Sequence, residues 1–164
     1  YAFRGAVLNE GVTHFHHPLD EVKMQQACQY LLGEHDFTSF RALHCQANTA
    51  TRTIHHLSVQ RQGAYVIIDI KANAFLHHMV RNITGCLMDI GLHKHEPIWL
   101  KELLDVKERA KASATAKAAG LYLQSLLDLP DCVRVLELKQ ACYSATGGLQ
   151  LAKALIAQEL KNLL

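Results

Sequence analysis

A chain of 164 residues, 49% hydrophobic and 20% charged, is ordinary for one globular domain and long enough to bury a core, but such a composition names no fold. Its formal charge of +2 excludes the strongly basic balance that announces a nucleic-acid binder, so any RNA contact has to use a local patch. No apolar run approaches the roughly 18 residues that cross a bilayer, and the start, Tyr1-Ala2-Phe3-Arg4-Gly5, lacks the layout of a signal peptide; the expected location is the cytoplasm.

Tyr1 stands where a starting methionine is expected, which implies a chain that begins inside a longer protein. Cys28, Cys45, Cys86, Cys132 and Cys142 show no C-x-x-C spacing and are odd in number, so they imply neither a zinc knuckle nor a complete disulfide framework.

In chain order, Asp20 offers an N-cap for an amphipathic helix whose apolar positions are Met24, Ala27, Cys28, Leu31 and Leu32, with Gly33 placed to stop it. Two strand-like runs follow, Thr53 to Arg61 and Tyr65 to Asn73, separated by Gln62-Gly63; Val66, Ile68, Ile70 and Ala72 share one face, and the pair predicts an antiparallel hairpin. From Phe75 to Ile90 the period turns helical, with Leu76, Met79, Val80, Ile83, Leu87 and Ile90 apolar, Gly91 as terminator, and His77, Arg81 and Gly85 stacked on the opposite side. A shorter helix is predicted from Ile98 to Val106, then a small-residue stretch from Ala110 to Gly120, then a short strand at Leu121-Tyr122-Leu123. Helix, hairpin and helix in succession predict an α+β fold, an antiparallel sheet with helices packed on one face, without internal repeats or a low-complexity linker.

An arginine one helical turn from a histidine is suggestive if that face meets a cleft, because a fixed guanidinium holds a carboxylate bidentately and keeps it ionised. Phe37-Thr38-Ser39-Phe40-Arg41-Ala42 mixes aromatics, hydroxyls and a cation, the equipment for stacking on bases and binding phosphates, although two core phenylalanines beside a turn present the same letters. The pairs His16-His17, His55-His56 and His77-His78, with His93 and His95, raise the question of a metal. Adjacent histidines point in different directions and no H-E-x-x-H or cysteine partner completes a ligand set, so none is expected.

The order of these pieces is more specific than any one of them. Gly11-Val12-Thr13-His14-Phe15, then Leu32 to Ala42, then Ala72-Asn73-Ala74-Phe75-Leu76-His77-His78-Met79-Val80-Arg81-Asn82-Ile83, Pro97-Ile98-Trp99 and Gly120-Leu121-Tyr122-Leu123 resemble the C-terminal half of the TruA family of tRNA pseudouridine synthases. The resemblance covers residues 1 to about 128. It implies one half of a two-half α+β enzyme that works as a homodimer on the anticodon stem-loop of tRNA, extrudes the target uridine, and needs no metal or organic cofactor. It also implies that Arg81 pairs with the catalytic aspartate and that Leu121 packs on the target base, with Phe37, Arg41, Arg52, Lys71 and His77 as RNA contacts. The aspartate itself belongs to an Arg-Thr-Asp-x-Gly-Val-His motif that this sequence does not contain. The family's active-site tyrosine is missing as well, and Tyr1 does not match it. The chain alone is therefore expected to be inactive.

After Leu123 the pattern departs from the family. Cys132 to Lys139 and Gln140-Ala141-Cys142-Tyr143-Ser144-Ala145-Thr146-Gly147-Gly148 resemble the nucleophile segment of hydroxymethylglutaryl-CoA synthases, which implies a separate tail over residues 129–164 and a junction near Leu126 to Pro130. By that resemblance Cys142 is an acyl-accepting thiol at a helix start, as an alternative to an ordinary cysteine ahead of a packing helix. Two other functions therefore stay open beside the synthase half: an acyl-CoA condensing fragment and a non-catalytic RNA-binding module.

Overall fold

The structure is a computed structural model and describes residues 12–43 and 45–122. Tyr1, Leu123, Cys132, Cys142 and the whole 129–164 tail, each of which carried an expectation above, lie outside the described residues.

Asp20 does cap the first helix, α1 (Glu21–Cys28): its side chain accepts the Lys23 N–H at 3.0 Å. The helix buries Met24, Ala27 and Cys28 and runs on as a 3-10 turn, Gln29–Leu31. Leu32 does not continue the apolar stripe; it is exposed, and Gly33 (φ +91) opens a strand rather than merely stopping a helix. That strand, β1 (Gly33–Asp36), has no apolar alternation and was not foreseen. It exists because β2 (Thr51–Gln62) offers it a pairing edge, with Glu34 opposite Thr53 and Asp36 opposite Thr51.

The hairpin forms as expected. β2 and β3 (Tyr65–Ala72) pair antiparallel around a two-residue turn in which Gly63 (φ +57) takes the left-handed conformation. Among the described residues the sheet has three strands in the order β1-β2-β3. Val66, Ile68, Ile70 and Ala72 lie opposite Arg61, Val59, Leu57 and Ile54, so these positions share the face turned toward α1 and the core. Between Ile54 and His56 the register slips by one, leaving His55 as the extra residue of a β-bulge.

The second helix, α2 (Met79–Gly91), begins four residues later than the apolar spacing predicts. Leu76 is buried in the core but precedes the helix, and His78 holds a left-handed conformation (φ 60) at the N-cap position. Burial without helical backbone misled the periodicity. A third helix, α3 (Trp99–Val106), follows as predicted and buries Leu100, Leu103 and Leu104. Met24, Leu31, Phe40, Ile54, Leu57, Ile83, Leu87, Leu100 and Leu103 unite the helices and the sheet in one core, an α+β arrangement. Leu121 and Tyr122 have no regular structure, contrary to the expected strand start. Among the described residues no helix is long and apolar enough to cross a membrane.

Candidate active site

Arg81 is the third residue of α2 and is half-buried. Its Nε donates to the Ala116 carbonyl at 2.8 Å, and the Ala116 N–H donates back to the Arg81 carbonyl at 3.1 Å. Among the described residues the guanidinium's hydrogen bonding is spent on its Nε edge, which leaves the two Nη groups as a fork for a carboxylate.

The small-residue stretch makes this contact possible. A Cβ on Gly85 would lie 2.1 Å from the Ala114 carbonyl oxygen, so only glycine lets the 109–116 segment lie directly on α2. The segment then turns at Gly120 (φ +90) into half-buried Leu121. Thr13 Oγ1 donates to the Ala119 carbonyl and ties this turn to the start of the described chain.

His77 is not one turn along a helix from Arg81, as the spacing predicted; it precedes the helix, is exposed, and stacks on His78 with ring centroids 3.9 Å apart. Burial holds the His78 imidazole below its ordinary value, assisted by the charges of His77, Arg81 and Arg109. Gly85, the other expected neighbour, is buried under the 109–116 segment.

Of the expected RNA contacts, Phe37 is corrected outright. It is fully buried, 5.9 Å from the equally buried Phe40, so its ring belongs to the core and is not available to stack on a base. Arg41 gives its Nη2 to the carbonyls of Cys45 (2.6 Å) and Ala47 (2.9 Å), and Arg52 gives its Nη1 to those of Thr49 (3.1 Å) and Thr51 (2.6 Å). Both shape loops around β2. Lys71 is exposed and sits between Ile70 and Ala72, hence on the opposite face of the sheet from them, whereas Arg52 shares the face of Ile54. The five residues therefore do not make one patch.

Among the described residues two cavities beside α2 stand out, and neither is lined by Arg81 or Leu121. One, of about 460 Å³, lies between Ala42, Leu43, His77, His78, Asn82 and the 109–115 segment. The other, of about 320 Å³, lies between Val66, Ile68 and Ile70 of β3 and Val80, Thr84 and Met88 of α2.

Three further histidines have local partners: His93 faces Asp20 at 3.5 Å, His56 faces Asp69 at 3.6 Å, and His95 stacks on Trp99 at 3.7 Å. Among the described residues no three His, Cys, Asp or Glu side chains are grouped to hold a metal ion. Sequence reasoning missed Arg109, whose guanidinium bonds to four acceptors beneath Arg81's neighbours. Its only sequence signal was a cation just ahead of a run of small residues.

The sequence profile described as tRNA pseudouridine synthase matches residues 27–126, which include the end of α1, the sheet, α2, α3 and the segment that carries Ala116. The chain belongs to the tRNA pseudouridine synthase family. It is similar to the tRNA pseudouridine synthase A of Pseudoalteromonas translucida, 84% identical over 128 residues, 78% of this chain and 48% of that protein. The proteins of the same name from Photorhabdus laumondii (58% over 138 residues; 81% and 52% of the two chains) and Klebsiella pneumoniae (59% over 126 residues; 77% and 47%) are also similar. This member of the pseudouridine synthase family thus spans about half the length of the curated relatives it matches. The profile match ends at residue 126, ahead of Cys142.

Proposed function

We propose that residues 1–128 are the C-terminal half of a tRNA pseudouridine synthase that isomerises uridine in the anticodon stem-loop, and that residues 129–164 are a separate tail. The observation that carries this reading is the 84% identity over 128 residues to a protein named tRNA pseudouridine synthase A.

In this reaction the glycosidic bond at N1 breaks, the uracil turns, and C5 bonds to the ribose, so the nucleotide has to be extruded and its base held in a closed pocket. A carboxylate in such a pocket tends to protonate. The Nη fork of Arg81, aimed by its Nε bond to Ala116, holds the aspartate of the family's N-terminal half ionised and oriented. Leu121 packs on the base. Exposed Lys71 and His77 contact RNA phosphates, while Arg41 and Arg52 shape the loops beside them. The complete protein acts in the cytoplasm as a homodimer, and no metal or organic cofactor enters the chemistry.

The test joins the N-terminal half of the Pseudoalteromonas protein to this whole chain and assays pseudouridine formation in tRNA. The hybrid forms pseudouridine; the chain alone does not. Arg81→Lys, which keeps the charge but loses the fork, lowers hybrid turnover about a hundredfold while tRNA affinity stays within a few-fold. Near-normal turnover of that variant defeats the assignment of Arg81.

A further inference from the structure

We propose that Arg109 is a positioning residue for Arg81, acting through the backbone of residues 112–116; the catalytic part of this inference rests on the synthase reading above. The Arg109 Nη1 donates to the carbonyls of Ala112 (3.3 Å) and Ser113 (2.9 Å), and its Nη2 to Thr115 Oγ1 (3.0 Å) and Asn82 Oδ1 (3.1 Å). The Thr115 hydroxyl donates to the same Asn82 oxygen at 2.7 Å, and Asn82, fully buried, gives its amide N–H to the Phe40 carbonyl at 2.7 Å. About two turns further along α2, Ser113 Oγ donates to Asp89 Oδ2 at 2.6 Å.

These bonds fasten the segment to α2 at residues 82 and 89, on either side of Gly85, where the Ala114 carbonyl makes its close approach. Ala116 is the next residue after Thr115, so its carbonyl and N–H are set by that fastening. Those two groups hold Arg81 by its Nε and its own carbonyl. A guanidinium is needed at position 109 because four acceptors in two directions call for a planar fork; a lysine ammonium has three donors on one atom and reaches fewer of them. The long reach of the coupling matters, since misplacing a catalytic group by about 1 Å costs on the order of a hundredfold in rate.

The 164-residue chain itself supplies the first test. In a ¹H–¹⁵N spectrum the Arg81 Nε–H signal is resolved and exchanges slowly with water, and in Arg109→Lys it exchanges at least about tenfold faster while the methyl signals of Met24 and Met79 stay in place. Thr115→Val, which removes one hydroxyl, moves the Arg81 signal in the same direction with a smaller shift, and decides the matter if the lysine variant disturbs the core methyls. An Arg81 signal already in fast exchange in the unaltered chain, or unmoved in the folded variants, overturns the proposal. The second test uses the hybrid enzyme, where Arg109→Lys lowers kcat about tenfold and leaves KM for tRNA within about twofold; equal kcat overturns the catalytic part. An unaltered hybrid that forms no pseudouridine defeats the synthase reading instead, and the spectroscopic result still judges the coupling.

Discussion

At the residue scale, two glycines of one helix have different reasons to be glycine. In a helix interior, alanine is normally favoured over glycine by about 1 kcal/mol. At Gly85 the added Cβ would meet a backbone carbonyl oxygen at 2.1 Å, which cannot retreat without lifting the segment off α2. At Gly91 it would meet Met24 Sδ at 2.7 Å, near the end of a flexible side chain. Overpacking against rigid structure costs about 1–3 kcal/mol, so the clash outweighs propensity at the first site but not at the second. In urea denaturation Gly85→Ala lowers stability by about 1–3 kcal/mol, and Gly91→Ala changes it by less than about 1 kcal/mol. Equal effects contradict this account.

Three cysteines divide along the same lines. Burial pushes the Cys28 thiol up to about 12 and raises that of Cys86, so both stay protonated and shielded. Half-buried Cys45 lies below the ordinary thiol value because the backbone N–H groups of Ala47 and His77 and the charge of Arg41 favour its thiolate. Iodoacetamide at pH 7.5, followed by peptide mapping, modifies Cys45 well before Cys28 or Cys86. Comparable rates at all three positions contradict it.

At the element scale, α1 has only eight residues, too short to persist alone, and depends on its cap and its buried face. Asp20→Ala removes the acceptor for the Lys23 N–H and lowers stability by about 1 kcal/mol in the same urea measurement. A variant as stable as the parent means the cap is redundant with packing. β1 makes the opposite case: Gly33-Glu34-His35-Asp36 has no strand-like pattern, and its conformation is imposed by the edge of β2. The start of α2 is likewise set from outside, by Leu76 entering the core before the helix begins and by the left-handed His78 that follows.

At the scale of the whole molecule, a few titrating groups join distant elements and set the response to pH. His78 is held below its ordinary value of 6.5 in the folded state, so the unfolded chain takes up the proton first. The stability this group contributes is complete above about pH 6.5 and declines as pH falls toward the lower folded value. Asp36 is held below 3.8 by the Thr38 hydroxyl and by Lys107 at 3.1 Å. Asp89 is also lowered: burial opposes its charge, but the bonds from Lys94 and Ser113 outweigh it. Their contributions are present above about 3.8 and are lost as pH falls through the lower folded values. Urea midpoints therefore decline shallowly from pH 7 to 5 and steeply below about 4. His78→Asn, which tolerates the left-handed backbone, flattens the first decline and leaves the second. A first decline unchanged in that variant assigns it to another group.

The sequence by itself determined the family, the hairpin with its apolar face, the Asp20 cap, α3, and the presence of Arg81 on a helix. These rest on local patterns: periodicity, a cap, a turn glycine, and motifs in a fixed order. Only the tertiary structure decided that Phe37 is core, that Arg41 and Arg52 bind loop carbonyls, that β1 is a strand, and that Arg109 bonds to the segment holding Arg81. The physical reason is that each of these depends on a partner outside the residue's own local pattern. Asn82 and Thr115 are 33 residues apart, and their hydrogen bond follows no period along the chain.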